Sequence, residues 1–169
     1  MFPIIDSKIA EPITIDGLKE FLSVRDDVRA DDPFLTQIIT AARTRLEEHL
    51  ERVIVARNFE LAFTSGGTHA LYPSLIDVES ITYFDNSGHE HYIEDYFIIK
   101  SEYVAFDTPG DLGIGETIKV VFRSGYESCP ATLMLAIEMM CKELYARSAA
   151  DPLTDEIRKI VQSEVIYDL

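Results

Sequence analysis

The spacing of apolar residues changes period at Val53, and that change constrains the fold more than any other feature of the chain. Upstream, Leu35, Ile39, Ala42, Leu46, Leu50 and Val53 step by three or four positions and draw one continuous apolar stripe along a helix. Downstream, Phe59, Leu61 and Phe63 alternate with Asn58, Glu60 and Ala62, the two-residue period of a half-buried strand. A chain that carries the two periods in separate blocks belongs to the α+β class.

The flanking segments supply the order of elements. Thr14 is a capping residue, and Leu18, Phe21 and Leu22 follow it at the spacing of a short first helix. The polar stretch 25–32, with Asp26, Asp27, Asp31 and Asp32, offers its last Asp as a cap for the second helix, with Pro33 at the first helical position. Ile81-Thr82-Tyr83-Phe84 runs into Asp85-Asn86-Ser87-Gly88, a hairpin pattern in which Gly88 supplies the positive φ. Residues 96–100, 103–106 and 117–123 read as further short strands, and Ser65-Gly66-Gly67-Thr68 and Gly113-Ile114-Gly115 as breaks.

Beyond Pro130 the helical spacing returns in Leu133, Ile137, Met140 and Leu144, with polar residues opposite. Thr154 then opens a last helix with Ile157, Ile160, Val161 and Val165 on one face. The expectation is a mainly helical core of about four helices, with a small antiparallel sheet inserted between helices two and three. Residues 1–169 are expected to form a single domain: an N-terminal arm at 1–13, helices at 14–57, a β region at 58–123 and C-terminal helices at 129–169.

Composition excludes several functions. At 47% hydrophobic residues the chain is expected to fold despite a net charge of −15. The acidic excess is concentrated in residues 58–128, with 12 acidic and 3 basic side chains. Tight nucleic-acid binding needs clustered cations to displace counterions, so specific nucleic-acid binding is not expected. No apolar run approaches the roughly 18 residues of a membrane span, and no cationic leader precedes one, which reads as a soluble cytoplasmic chain. Cys129 and Cys141 lie too far apart along one helix to bond each other and read as reduced packing residues.

The residues that could carry chemistry stand as isolated parts. His89-Glu90-His91 would point two imidazoles the same way from a strand, as metal ligands require, but no third ligand lies nearby in sequence, and the pair reads as solvated. The aspartates at 26, 27, 31 and 32 lack the alternating oxygens, central Gly and distal Glu of a calcium loop. Neither glycine pair has the setting of a phosphate or dinucleotide loop, and the Ser, His and Asp residues show no triad spacing. The expectation is no catalytic residues, no cofactor and no metal.

Four segments, in order, carry a resemblance. The second helix opens with Asp32-Pro33-Phe34-Leu35 and continues through Ala41-Ala42-Arg43 to Glu47-Glu48; Leu71-Tyr72-Pro73 leads to the strand and turn ending at Gly88. Ile118-Lys119-Val120-Val121-Phe122 enters Gly125-Tyr126, and Cys129-Pro130-Ala131 opens a helix with Ala136-Ile137 and Tyr145-Ala146-Arg147. This order, over residues 14–150, resembles the first head-tail connector proteins of tailed bacteriophages and prophages, an adaptor family of head completion.

The resemblance implies a structural virion protein without enzymatic activity. One copy would sit in a homo-oligomeric, dodecameric ring that docks beneath the portal protein and receives the next connector or tail-completion protein. It would reside in the virion, and in the host cytoplasm during assembly; gene transfer agents built from similar parts would use it in the same way. The competing class is a small acidic regulator or DNA mimic, although mimics present dense carboxylate rows that are dispersed here. Both ends are unusually apolar, which marks Phe2, Ile4, Ile5, Ile157, Ile160, Val161 and Val165 as partner-binding candidates. The resemblance makes the C-terminal segment the portal contact.

Overall fold

The computed structural model describes residues 10–25, 31–71, 74–100, 102–146 and 151–162. Among them lie four helices, α1 (Ile15–Leu22), α2 (Asp32–Leu50), α3 (Ala131–Ala146) and α4 (Asp155–Ile160). Seven strands accompany them: β1 (Arg57–Phe63), β2 (Gly67–Ala70), β3 (Leu75–Phe84), β4 (Glu90–Tyr92), β5 (Tyr96–Ile99), β6 (Tyr103–Phe106) and β7 (Ile118–Ser124). The strands form two antiparallel sheets, ordered β1-β7-β3-β4 and β2-β6-β5.

This corrects the expectation of a mainly helical core with one small sheet, because the chain is rich in strands and has two sheets. The physical reason lies in strands without a two-residue alternation. β2 is Gly-Thr-His-Ala, which reads as part of a break. β3 runs for ten residues, with register shifts against β7 between Leu75 and Asp77 and between Val78 and Ser80. Each irregularity displaces the alternation, so that only residues 81–84 look strand-like.

The chain divides into two compact units, a sheet unit at Ala56–Tyr126 and a helical unit at Ala10–Val55 with Glu127–Leu169. In the helical unit, Thr14 caps α1 by accepting from Gly17 N–H at 3.1 Å. The α2 stripe is buried throughout at Leu35, Ile39, Ala42, Leu46 and Leu50, and Val53 continues it beyond the helix end. α2 packs on α3, which buries Leu133, Ala136, Ile137, Met140 and Cys141; Leu144 is half-buried. α1 packs on both helices, and α4 on α3.

The acidic entry to α2 does not cap it through side chains. Asp31 stands at the cap position without a side-chain capping bond, and its carboxylate accepts from Tyr145 Oη at 3.4 Å. Asp32 takes the first helical position, which moves Pro33 to the second, and pairs with the fully buried Lys19 of α1. Asp26 and Asp27 lie outside the described residues.

In the sheet unit, β7 lies between β1 and β3 and alternates buried Ile118, Val120, Phe122 and Ser124 with more exposed neighbours. Phe59 of β1 stacks on Phe122 with ring centroids 5.6 Å apart. The second sheet buries Val104 and Phe106. Phe63 of β1 stacks on His69 of β2 at 3.9 Å, and His69 meets Phe106 at 5.2 Å, so three rings tie the sheets together. A side chain at Gly66 would come within 2.2 Å of Thr108 backbone nitrogen, so this crossing accepts only glycine.

Candidate functional site

Ile157 and Val161 are buried and Ile160 is half-buried, so the face of α4 that the sequence marks for a partner is turned into its own unit. Thr154 caps α4, and Asp151 anchors the approach: it accepts from Leu153 N–H at 3.1 Å and pairs with Arg45 of α2 and Arg158, each at 3.2 Å. The Arg45 hydrogen bond, then the Leu153 N–H, hold the Asp151 carboxyl below its ordinary value. Phe2, Ile4, Ile5 and Val165 lie outside the described residues.

A second ion-pair group secures the start of the described chain. Arg43 donates to Glu11 at 2.8 and 3.3 Å and to Glu47 at 2.8 Å. Thr40 donates to Glu11, and Glu47 also accepts from Ile54 N–H at 2.8 Å. Burial opposes the charge of Arg43, yet the hydrogen bonds and charges of Glu11 and Glu47 together raise its pKa.

Exposed apolar surface gathers in the sheet unit, away from the chain ends. β5 is an edge strand of the three-stranded sheet, and its Phe97 is 75% exposed, with Ile98 and Ile99 also exposed. Phe97 borders an open groove of about 260 Å³ lined by Gly67, Thr68, Asp95, Ala105, Phe106 and Asp107. Tyr-Phe-Ile-Ile between Asp95 and Lys100 was a usable signal, because four apolar residues in a row on a strand leave some facing water unless both faces are covered.

His89 and His91 sit at the β3–β4 hairpin beside an acidic partner, Asp85. Asp85 Oδ1 accepts from Ser87 N–H at 2.7 Å and His89 N–H at 2.9 Å. Its Oδ2 lies 3.1 Å from His91 Nε2 and 3.5 Å from His89 Nδ1. The His89 N–H, then the His91 ring and the Ser87 N–H, hold the Asp85 carboxyl far below the usual carboxylate range. Asp111, from the loop before β7, accepts from Tyr83 Oη at 2.9 Å, and this bond raises the Tyr83 pKa.

No family model matches the chain, and no curated protein matches it in sequence. Solved structures do match. A chain of the neck of an empty gene transfer agent (GTA) particle, computed with C6 symmetry, aligns over 100% of this chain and 97% of its own, with TM-score 0.78 at 16% identity. This chain has the fold of a gene transfer agent neck chain. A chain from the virion of a native GTA particle matches over the same shares, with TM-score 0.79 at 16% identity. A neck chain of a native GTA particle, computed with C12 symmetry, gives 0.66 at 17% identity over 100% and 97%. No described helix is long and apolar enough to cross a membrane.

Proposed function

We propose that this protein is a non-enzymatic structural subunit of a phage-type virion neck, a head-tail connector adaptor acting as one copy in a ring beneath the portal. The observation that carries the reading is the full-length likeness in fold to neck chains of particles treated with C6 and C12 symmetry. The ordered motifs over residues 14–150, which resemble the adaptor family, support it independently of the fold. In this reading residues 1–169 act as a single connector domain to which both units contribute.

A ring requires each protomer to present two different surfaces that close on its neighbours. The exposed edge of β5 and the apolar chain ends are the surfaces offered for such contacts. The C-terminal segment beyond α4, with Val165, is the proposed portal contact, and the arm with Phe2, Ile4 and Ile5 a second contact. The acidic excess over residues 58–128 would repel phosphates along a DNA channel. The next connector or tail-completion protein would dock on the opposite rim.

Particle assembly in a producing strain lacking this chain tests the reading. The expected result is DNA-filled heads with portals but no attached tails, restored by the intact chain in trans. Complete tailed particles in its absence would refute the assignment.

A further inference from the structure

We propose that the β3–β4 hairpin and the loop before β7 hold one divalent transition-metal ion of the zinc class, liganded by Asp85, His91 and Asp111. Asp85 precedes the His89–His91 pair on the same hairpin, and the fold adds Asp111 from a loop distant in sequence. One ligand atom each from Asp85, His91 and Asp111 lies within 4.8 Å of the others. Zinc bonds of about 2.0 to 2.2 Å in a tetrahedron place neighbouring ligand atoms about 3.4 Å apart. The separation of 3.1 Å from Asp85 Oδ2 to His91 Nε2 lies close to that value.

The donors are also held in place, as metal ligands are by their supporting hydrogen bonds. Asp85 commits Oδ1 to the Ser87 and His89 N–H groups, which leaves Oδ2 facing the imidazoles. Tyr83 donates to one oxygen of Asp111 and stacks its ring on His91 at 5.3 Å, so one side chain positions two ligands. The loop carrying Asp111 is fixed by Asn86 N–H donating to Asp111 carbonyl at 3.1 Å and Gly113 N–H donating to Phe84 carbonyl at 2.8 Å. A side chain at Gly113 would come within 2.8 Å of Asp85 carbonyl oxygen, so glycine is what allows the loop to approach.

Donor chemistry selects the ion. Imidazole nitrogen beside carboxylate oxygen suits zinc and its neighbours, whereas magnesium and calcium take oxygen donors and retain water. The His91 side chain is 43% exposed, so the ion has an open path in and out.

Calorimetric titration of metal-stripped full-length protein with zinc chloride, with magnesium as comparison, decides the matter. The expected result is one zinc ion per chain, no comparable magnesium uptake, and a higher melting temperature with zinc. His91→Ala and Asp111→Ala should each weaken zinc binding by at least about tenfold, and Tyr83→Phe, which keeps the ring, should weaken it by about tenfold through Asp111 alone. Asp111 is exposed, and circular dichroism checks that its variant keeps the fold. Absence of zinc uptake, uptake unchanged by His91→Ala and Asp111→Ala, or equal response to magnesium would overturn the proposal.

Discussion

The helical unit and the sheet unit hold themselves together by different means. In the helical unit, charged side chains join segments distant in sequence: Arg43 ties Glu11 to α2, Arg45 and Arg158 converge on Asp151, and Lys19 pairs with Asp32. In the sheet unit the ladders and stacked rings of Phe59, Phe122, Phe63, His69 and Phe106 do that work. Basic residues number only 3 against 12 acidic ones over residues 58–128, so carboxylates outnumber cations fourfold in that stretch. Charge joins distant segments in the helical unit, whereas in the sheet unit it fixes the Asp85 turn and the Tyr83–Asp111 pair and otherwise stands in acidic excess.

The largest test of this contrast removes core volume from each unit. Phe122→Ala should cost about 3 to 5 kcal/mol and Leu46→Ala about 2 to 5 kcal/mol, read as lost thermal and denaturant stability. A loss below 1 kcal/mol in either would show that the unit's core is not built around that residue. A smaller effect is expected at Arg43→Met, about 1.5 to 3 kcal/mol for hydrogen bonds to charged groups, monitored by helix signal. Neutralising a sheet-unit carboxylate such as Glu94→Gln should leave stability unchanged or raise it slightly. A large loss there would end the contrast.

Acid separates the units more finely. Asp85 and Asp151 both have folded pKa values depressed below the unfolded carboxylate range. A depressed folded value means that the stabilisation is present above the unfolded pKa of about 3.9 and is lost as pH falls. Asp85→Asn should therefore flatten the acid limb of sheet-unit unfolding, and Asp151→Asn that of the helical unit, followed by near-ultraviolet and far-ultraviolet dichroism. Identical acid limbs in variants and parent would refute these pairings.

The helical unit was the more legible from sequence, because its period is long and redundant. The stripe from Leu35 to Val53 is buried as read, and the Thr14 and Thr154 caps stand where the hydroxyls indicated. The sheet unit was legible at β1, β5, β6, β7, the second half of β3 and the Asp85–Gly88 turn. It failed at β2, too polar and too short for an alternating signal, and in the first half of β3, where two irregularities break the alternation. The His91–Asp111 approach could not be read at all, since a loop distant in sequence creates it. The partner residues divide in the same way: sequence marks Ile157 and Val161 as apolar, but only the fold shows them turned inward.

Two further measurements carry the smallest effects. Burial pushes the Cys141 thiol up to about 12 and the Cys129 thiol up to about 11. Since the thiolate is the reactive form, neither should label with a chromogenic disulfide at pH 8 until the chain is unfolded. Rapid native labelling of Cys141 would show that α3 does not seal against α2. Deleting residues 163–169 should leave the melting temperature within about one degree, because α4 is retained, while weakening portal binding. A large drop in melting temperature would place those residues in the core instead.

The central claim is that the chain is a ring-forming neck subunit, and electron microscopy of the purified protein mixed with its cognate portal tests it most directly. The account predicts a closed ring seated on one end of the portal and sharing its rotational axis. Portals that stay bare at saturating concentrations of folded protein would contradict it.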